Sequence, residues 1–110
     1  MIDWTRVSEL RDEVGAEDFD EVVDLFLLEV DEEINFLKKQ LTPQTLAEKL
    51  HFLKGSALSL GFAEFSQMCA SAEHEVSGAT GTEINVDAII DSYTTSRAHF
   101  MAELPGHISN

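Results

Sequence analysis

The chain has 110 residues, 44% of them apolar and 25% charged, which excludes wholesale disorder and leaves room for one hydrophobic core rather than two. With 21 acidic and 7 basic side chains the formal net charge is -14, which sets the chain against phosphate backbones and anionic lipid surfaces and so against nucleic-acid and membrane-surface binding. The single cysteine, Cys69, leaves no internal disulfide and fits a reducing compartment.

In chain order, the first helix is expected over residues 3–13, with Trp4, Val7, Leu10 and Val14 at helical spacing. The second is long, over 18–41. Its positions Phe19, Val23, Phe26, Val30, Ile34, Leu37 and Leu41 step by three and four, as one buried stripe should. Glu21, Asp24, Asp31, Glu32 and Lys39 fall on its outer face. Thr42-Pro43 reads as an N-cap followed by proline at the first helical position. The third helix, over 43–60, buries Leu46, Leu50, Leu53, Ala57 and Leu60 and stops before Gly61, which can take a left-handed C-cap. The fourth, over 62–77, buries Phe65, Met68, Cys69, Ala72 and Val76. After the loop 78–82, Asn85 caps a fifth helix over 86–103, with Val86, Ile89, Tyr93, Arg97 and Phe100 on one side and Pro105 beyond its end. No strand alternation or hairpin signal occurs. The expected class is therefore all-α: a single domain over 1–110 in which four long helices form an antiparallel four-helix bundle and a short additional N-terminal helix covers one end.

The segment 51–61 carries the chemistry. Counting about 100° per residue from Leu50, the core stripe spans roughly -80° to roughly 0°. On that count His51 falls at about 100°, Gly55 at about 140°, Leu58 at about 80° and Phe62 at about 120°. All four point away from the core, and Lys54, at about 40°, stands at the boundary. Gly55 in mid-helix costs about 1 kcal/mol relative to alanine. One reason to keep it is that something large approaches the backbone there. An exposed imidazole can act as a nucleophile and hold a phosphoryl group. Lys54, three residues on, is within reach to offset that group's charge. Phe62 sits at the turn with His51 eleven residues before it and Glu73 eleven after, so the two stand level on neighbouring helices. Glu73 can then hold one ring nitrogen and leave the other free to attack. Leu58, Phe62 and Phe52 place apolar surface around the histidine, as a partner patch does. Taken singly, each residue has an ordinary reading: a solvated histidine, a tolerated glycine, a surface lysine, an exposed acid.

Other chemistries fit less well. Glu73-His74-Glu75 is tight in sequence, but adjacent helical residues point about 100° apart and do not converge on one ion. No paired-cysteine or H-E-x-x-H spacing exists, so no metal is expected. Ser56 lies on a different helix face from His51 with no carboxylate to complete a triad, and Cys69 falls on a core stripe. The remaining alternative is a non-catalytic helical interaction bundle whose histidine is not phosphorylated.

The run His51-x-Leu53-Lys54-Gly55-Ser56-Ala57, followed by Leu60-Gly61, resembles the signature of histidine-containing phosphotransfer domains. The likeness continues through Phe65, Cys69 and Ala72-Glu73, where Ala72 replaces the more usual leucine, and through the apolar-acidic stretch 26–33. The resemblance implies that His51 accepts a phosphoryl group from a receiver-domain aspartate or a hybrid histidine kinase and passes it to another receiver. It implies that Lys54 steadies the phosphoryl group, Glu73 orients the ring, and Gly55 admits the receiver, with Leu58, Phe62 and Phe52 as docking contacts. It further implies no kinase activity and no cofactor of the chain's own, Mg²⁺ being brought by the receiver. No P-loop or Gly-rich nucleotide motif stands in the chain. The opening residues lack a signal peptide and no apolar run is long enough to span a bilayer, so a cytoplasmic protein is expected, and a monomer is expected because one bundle consumes most of the apolar residues. The initiating Met1 and the Pro105-Gly106 ending favour a stand-alone protein.

Overall fold

In the computed structural model, which describes residues 2–39, 42–77 and 84–108, the regular structure is five helices and no strand. They are α1 (Trp4–Val14), α2 (Phe19–Leu37), α3 (Pro43–Leu60), α4 (Ala63–Ser77) and α5 (Val86–Ile108). The caps account for most of these bounds. Asp3 accepts from the Arg6 amide at 3.1 Å, Thr42 Oγ1 from the Thr45 amide at 3.2 Å and Asn85 Oδ1 from the Ala88 amide at 3.0 Å, each satisfying an orphan donor in a first turn. Among the described residues, no helix is long and apolar enough to cross a membrane.

Four expectations are corrected within the helices. Helix α2 ends at Leu37, short of residue 41, and Leu41 lies outside the described residues. Within α2 it is Leu27 that is buried, while Phe26 only flanks the core. Helix α5 does not stop at Glu103 but runs through Pro105 and Gly106 to Ile108. Proline there removes one amide donor and leaves the Met101 carbonyl without it, and Met101 is exposed, so water can take that bond. The extra turn is held from outside: the His107 ring stacks on Trp4 at 3.9 Å, and Trp4 stacks in turn on Phe100 at 5.7 Å. On the same helix Ser96, not Arg97, takes the buried position.

The largest correction concerns Phe62, which is 1% exposed. The regular angular count holds only inside a helix, and Gly61 ends α3 at φ +87°. Both the Gly61 and Phe62 amides return to the Ala57 carbonyl, the latter at 2.8 Å, which is the six-to-one bond of a Schellman turn. The reversal swings Phe62 inward, against Phe100 at 5.3 Å and Tyr93 at 6.1 Å. The same turn anchors α1. The Asp3 amide donates to the Gly61 carbonyl at 2.7 Å, and Arg6 Nε to that of Ser59 at 3.1 Å. A Cβ on Gly61 would lie 2.8 Å from the Asp3 carbonyl oxygen and 2.9 Å from Val7, so only glycine suits both the backbone angle and the space.

Polar pairs set the helices against each other. Lys49 meets Glu33 at 2.9 Å between α3 and α2. The Ser66 hydroxyl donates to the Lys54 carbonyl at 3.2 Å between α4 and α3. Asp31 on α2 accepts from the Tyr93 hydroxyl and pairs with Arg97 Nε at 3.4 Å, both on α5.

Candidate functional site

Capped by Thr42 and free of β-branched residues beyond Thr45, α3 carries His51 in mid-helix with its side chain 70% exposed. The opposing helix α4 brings Glu73 to the same level. Glu73 Oε2 lies 3.0 Å from His51 Nδ1, and Glu73 Oε1 accepts from Lys54 Nζ at 2.8 Å. One carboxylate therefore serves both the imidazole and the ammonium. A carboxylate can only accept, so Nδ1 carries the ring proton and the lone pair sits on Nε2. Among the described residues Nε2 has no hydrogen-bond partner.

The charge on Glu73 is held firmly. Hydrogen bonding from Lys54 lowers its pKa most, partial burial works against this, and the bond from His51 adds to the lowering. A carboxylate depressed by folding contributes stability that is present above its ordinary pKa and disappears as pH falls through the depressed value. The His51 and Lys54 contacts are lost over the same acid window. Replacing Lys54 with methionine should move the Glu73 titration midpoint back up towards the ordinary carboxyl value, and by more than His51→Gln does. Carbon-13 NMR of the side-chain carboxyl checks this, and equal shifts in the two variants would remove Lys54 as the leading cause.

Around the ring, Leu58 is 57% exposed, as the wheel placed it, and Phe52 is also exposed. Phe62 is not part of this surface. Gly55 is exposed, and a Cβ built there meets nothing within 4 Å. Among the described residues, nothing requires a glycine at that place.

Among the described residues, no three His, Cys, Asp or Glu side chains cluster together. His99 pairs with Glu103 at 3.2 Å along α5, and His107 lies on Trp4. Cys69 is buried, and burial first, then Glu73, pushes its thiol up to about 12, so it is not a thiolate nucleophile at neutral pH. Two features escaped the sequence reading. Lys54 does not stand alone beside the imidazole but donates to Glu73, a consequence of the α3–α4 register that side-chain spacing on α3 does not reveal. Leu25 and Leu28 on α2 are 53% and 56% exposed. The signal was available, because both fall off the 23–27–30–34 stripe.

Among known proteins, a family model described as Hpt domain matches residues 21–99, which is 79 of the 110 residues and takes in every residue of the His51 site. No curated protein and no solved structure matches.

Proposed function

Because the chain belongs to the Hpt domain family, whose members are phosphocarriers that work with receiver domains and histidine kinases in two-component phosphorelays, we propose that His51 is its phosphoryl acceptor and donor. The observation that carries this reading is an imidazole 70% exposed, with Nδ1 held by Glu73 and Nε2 open.

The chemistry follows from that geometry. The Nε2 lone pair attacks the phosphorus of a receiver aspartyl phosphate, the N–P bond forms, and the P–O bond to the aspartate breaks with its electrons leaving on the carboxylate. The ring becomes cationic because Nδ1 keeps its proton. Glu73 faces that proton and stabilises the charge as it develops. Lys54 exchanges Glu73 for a phosphoryl oxygen, since its ammonium is one helical turn from the ring. Passing the group on reverses these steps with a second receiver. The receiver supplies Mg²⁺ and the acidic pocket around its aspartate, so this chain needs neither a cofactor nor kinase activity of its own.

The scaffold in this reading is a single domain over 1–110, an antiparallel four-helix bundle of α2 to α5 with α1 laid across the Gly61 end. The pairs Glu33–Lys49, Lys54–Ser66 and Phe65–Tyr93, each joining successive helices, support alternating directions. The protein acts as a cytoplasmic monomer. Gly55, Leu58 and Phe52 form the face on which the receiver sits.

The test is incubation of the chain with a receiver domain phosphorylated on its aspartate. The expected result is label on the chain that is lost in acid and kept in base. A chain that takes no label from any of a panel of receivers is instead a non-catalytic interaction bundle. The Gly55 face has its own test. Gly55→Ala should remain folded and gain up to about 1 kcal/mol from helix propensity, because no neighbour opposes the added methyl. Gly55→Gln should keep its helix content by circular dichroism yet transfer about a hundredfold more slowly, since a displaced receiver misaligns the attack. Unchanged transfer rates in Gly55→Gln would show that close approach to the α3 backbone is unnecessary.

A further inference from the structure

Helix α2 contains seven acidic residues and no basic one, yet it exposes two leucines one turn apart. Counting about 100° per residue from buried Leu27, Asp31 lies at about 40°, Leu28 at about 100° and Leu25 at about 160°, while Glu33 lies at about -120°. Asp31 faces α5 through Tyr93 and Arg97, and Glu33 faces α3 through Lys49. Leu28 is therefore on the α5 side of α2, and Leu25 is on its outer side, facing solvent. On α5, counted from buried Phe100, Arg97 lies at about 60° and Met101 at about 100°, towards α2. Leu28 is three residues before Asp31 and Met101 four after Arg97. With α2 and α5 antiparallel, as proposed above, those two steps run the same way, so Leu28 and Met101 stand level across one seam.

Met101 is 46% exposed, and Ala98 and Pro105 on the same side of α5 are exposed too. The seam thus exposes a short apolar patch between charged residues. On α2 an acidic rim encloses the two leucines, Glu21 and Glu32 in line with them at either end and Asp24 and Glu29 to the sides, all exposed. The cation within it, Arg97, is committed to Asp31.

We infer that the α2–α5 seam is a second docking surface, for a basic amphipathic helix whose apolar residues one turn apart meet Leu25, Leu28 and Met101 while flanking Lys and Arg meet the acidic rim. Charge complementarity selects this occupant. A second copy of the chain would set one seven-carboxylate helix against another, which repels. A helix laid in a groove also matches anchors one turn apart. The seam is turned away from His51, so its occupant and a receiver can be bound together. The inference rests on the opposite directions of α2 and α5 and not on phosphoryl transfer.

The probe is a fluorescein-labelled Leu/Lys amphipathic peptide of about 18 residues, five helical turns. It is titrated into the full chain by fluorescence anisotropy at about 0.15 M ionic strength, where the charges are screened beyond about 8 Å. Saturable binding is expected, with amide shifts in the nitrogen-15 NMR spectrum centred on Leu25, Leu28 and Met101. The Leu25→Ser/Leu28→Ser double variant should bind at least about tenfold more weakly, as loss of two buried anchors implies. A peptide with Glu in place of Lys should not bind, and His51→Gln should bind as the wild type does. Equal affinity in the double variant, or shifts centred on Gly55 and Leu58, would overturn the inference. So would a peptide-free dimer in sedimentation that the double variant dissolves, which would make the seam a self-contact. Phosphoryl transfer to His51 measured on the same double variant should be unaltered, which separates failure at the seam from failure of the relay reading.

Discussion

His51→Gln is expected to take up no label from a phosphorylated receiver, with transfer falling to background while the fold is kept. Glutamine has nearly the reach of histidine and can still place an amide against Glu73, but its nitrogen lone pair is delocalised and does not attack phosphorus. The side chain it replaces is 70% exposed, so the change in stability stays within about 0.5 kcal/mol. The measurement is acid-labile label on the variant beside urea unfolding of the same sample. Label surviving in His51→Gln would place the acceptor elsewhere, and among the described residues none of His74, His99 and His107 has a lysine donating to a carboxylate that holds it. This experiment separates chemistry from folding because the proposed acceptor contributes almost nothing to the core.

Phe62→Ala is expected to do the opposite. Phe62 is among the largest fully buried side chains and touches Tyr93 and Phe100, so truncation removes a core aromatic and leaves a cavity. The expected cost is about 3–5 kcal/mol, read as a lowered urea midpoint. Leu58→Ala, one turn before it in sequence, should change stability by under about 0.5 kcal/mol and slow transfer instead. If Phe62→Ala left stability intact and weakened only receiver docking, the buried placement of this ring would be wrong.

Phe62 also shows why a helical wheel reads some of this molecule and not the rest. Within an uninterrupted helix, spacing is a sufficient guide. The α3 stripe of Leu50, Leu53, Ala57 and Leu60 is buried as the count places it, and His51, Gly55 and Leu58 are exposed. Glu73 could be matched to His51 because a short turn makes distances from it nearly equal on both arms. The count fails one residue past Gly61, since a left-handed residue resets the direction of everything after it. It also fails at Pro105, where a local rule against helix is overridden by a ring stack between residues 4 and 107 that no window of the sequence contains. That Lys54 donates to Glu73 depends on the offset between two helices, a property of their packing. Leu25 and Leu28 were legible, but an apolar run read only for its core hides the residues that miss it.

Cys69 is the chain's one thiol, and it is sealed inside with its proton held tightly. It therefore serves as a built-in clock for breathing motions. A thiol reagent added to the native protein reacts only in the fraction of time that α4 lifts from its neighbours, so the rate reports the free energy of that opening without any engineered label. Because Glu73 lies four residues along the same helix, a bound receiver that clamps the imidazole and its carboxylate would slow the clock as well.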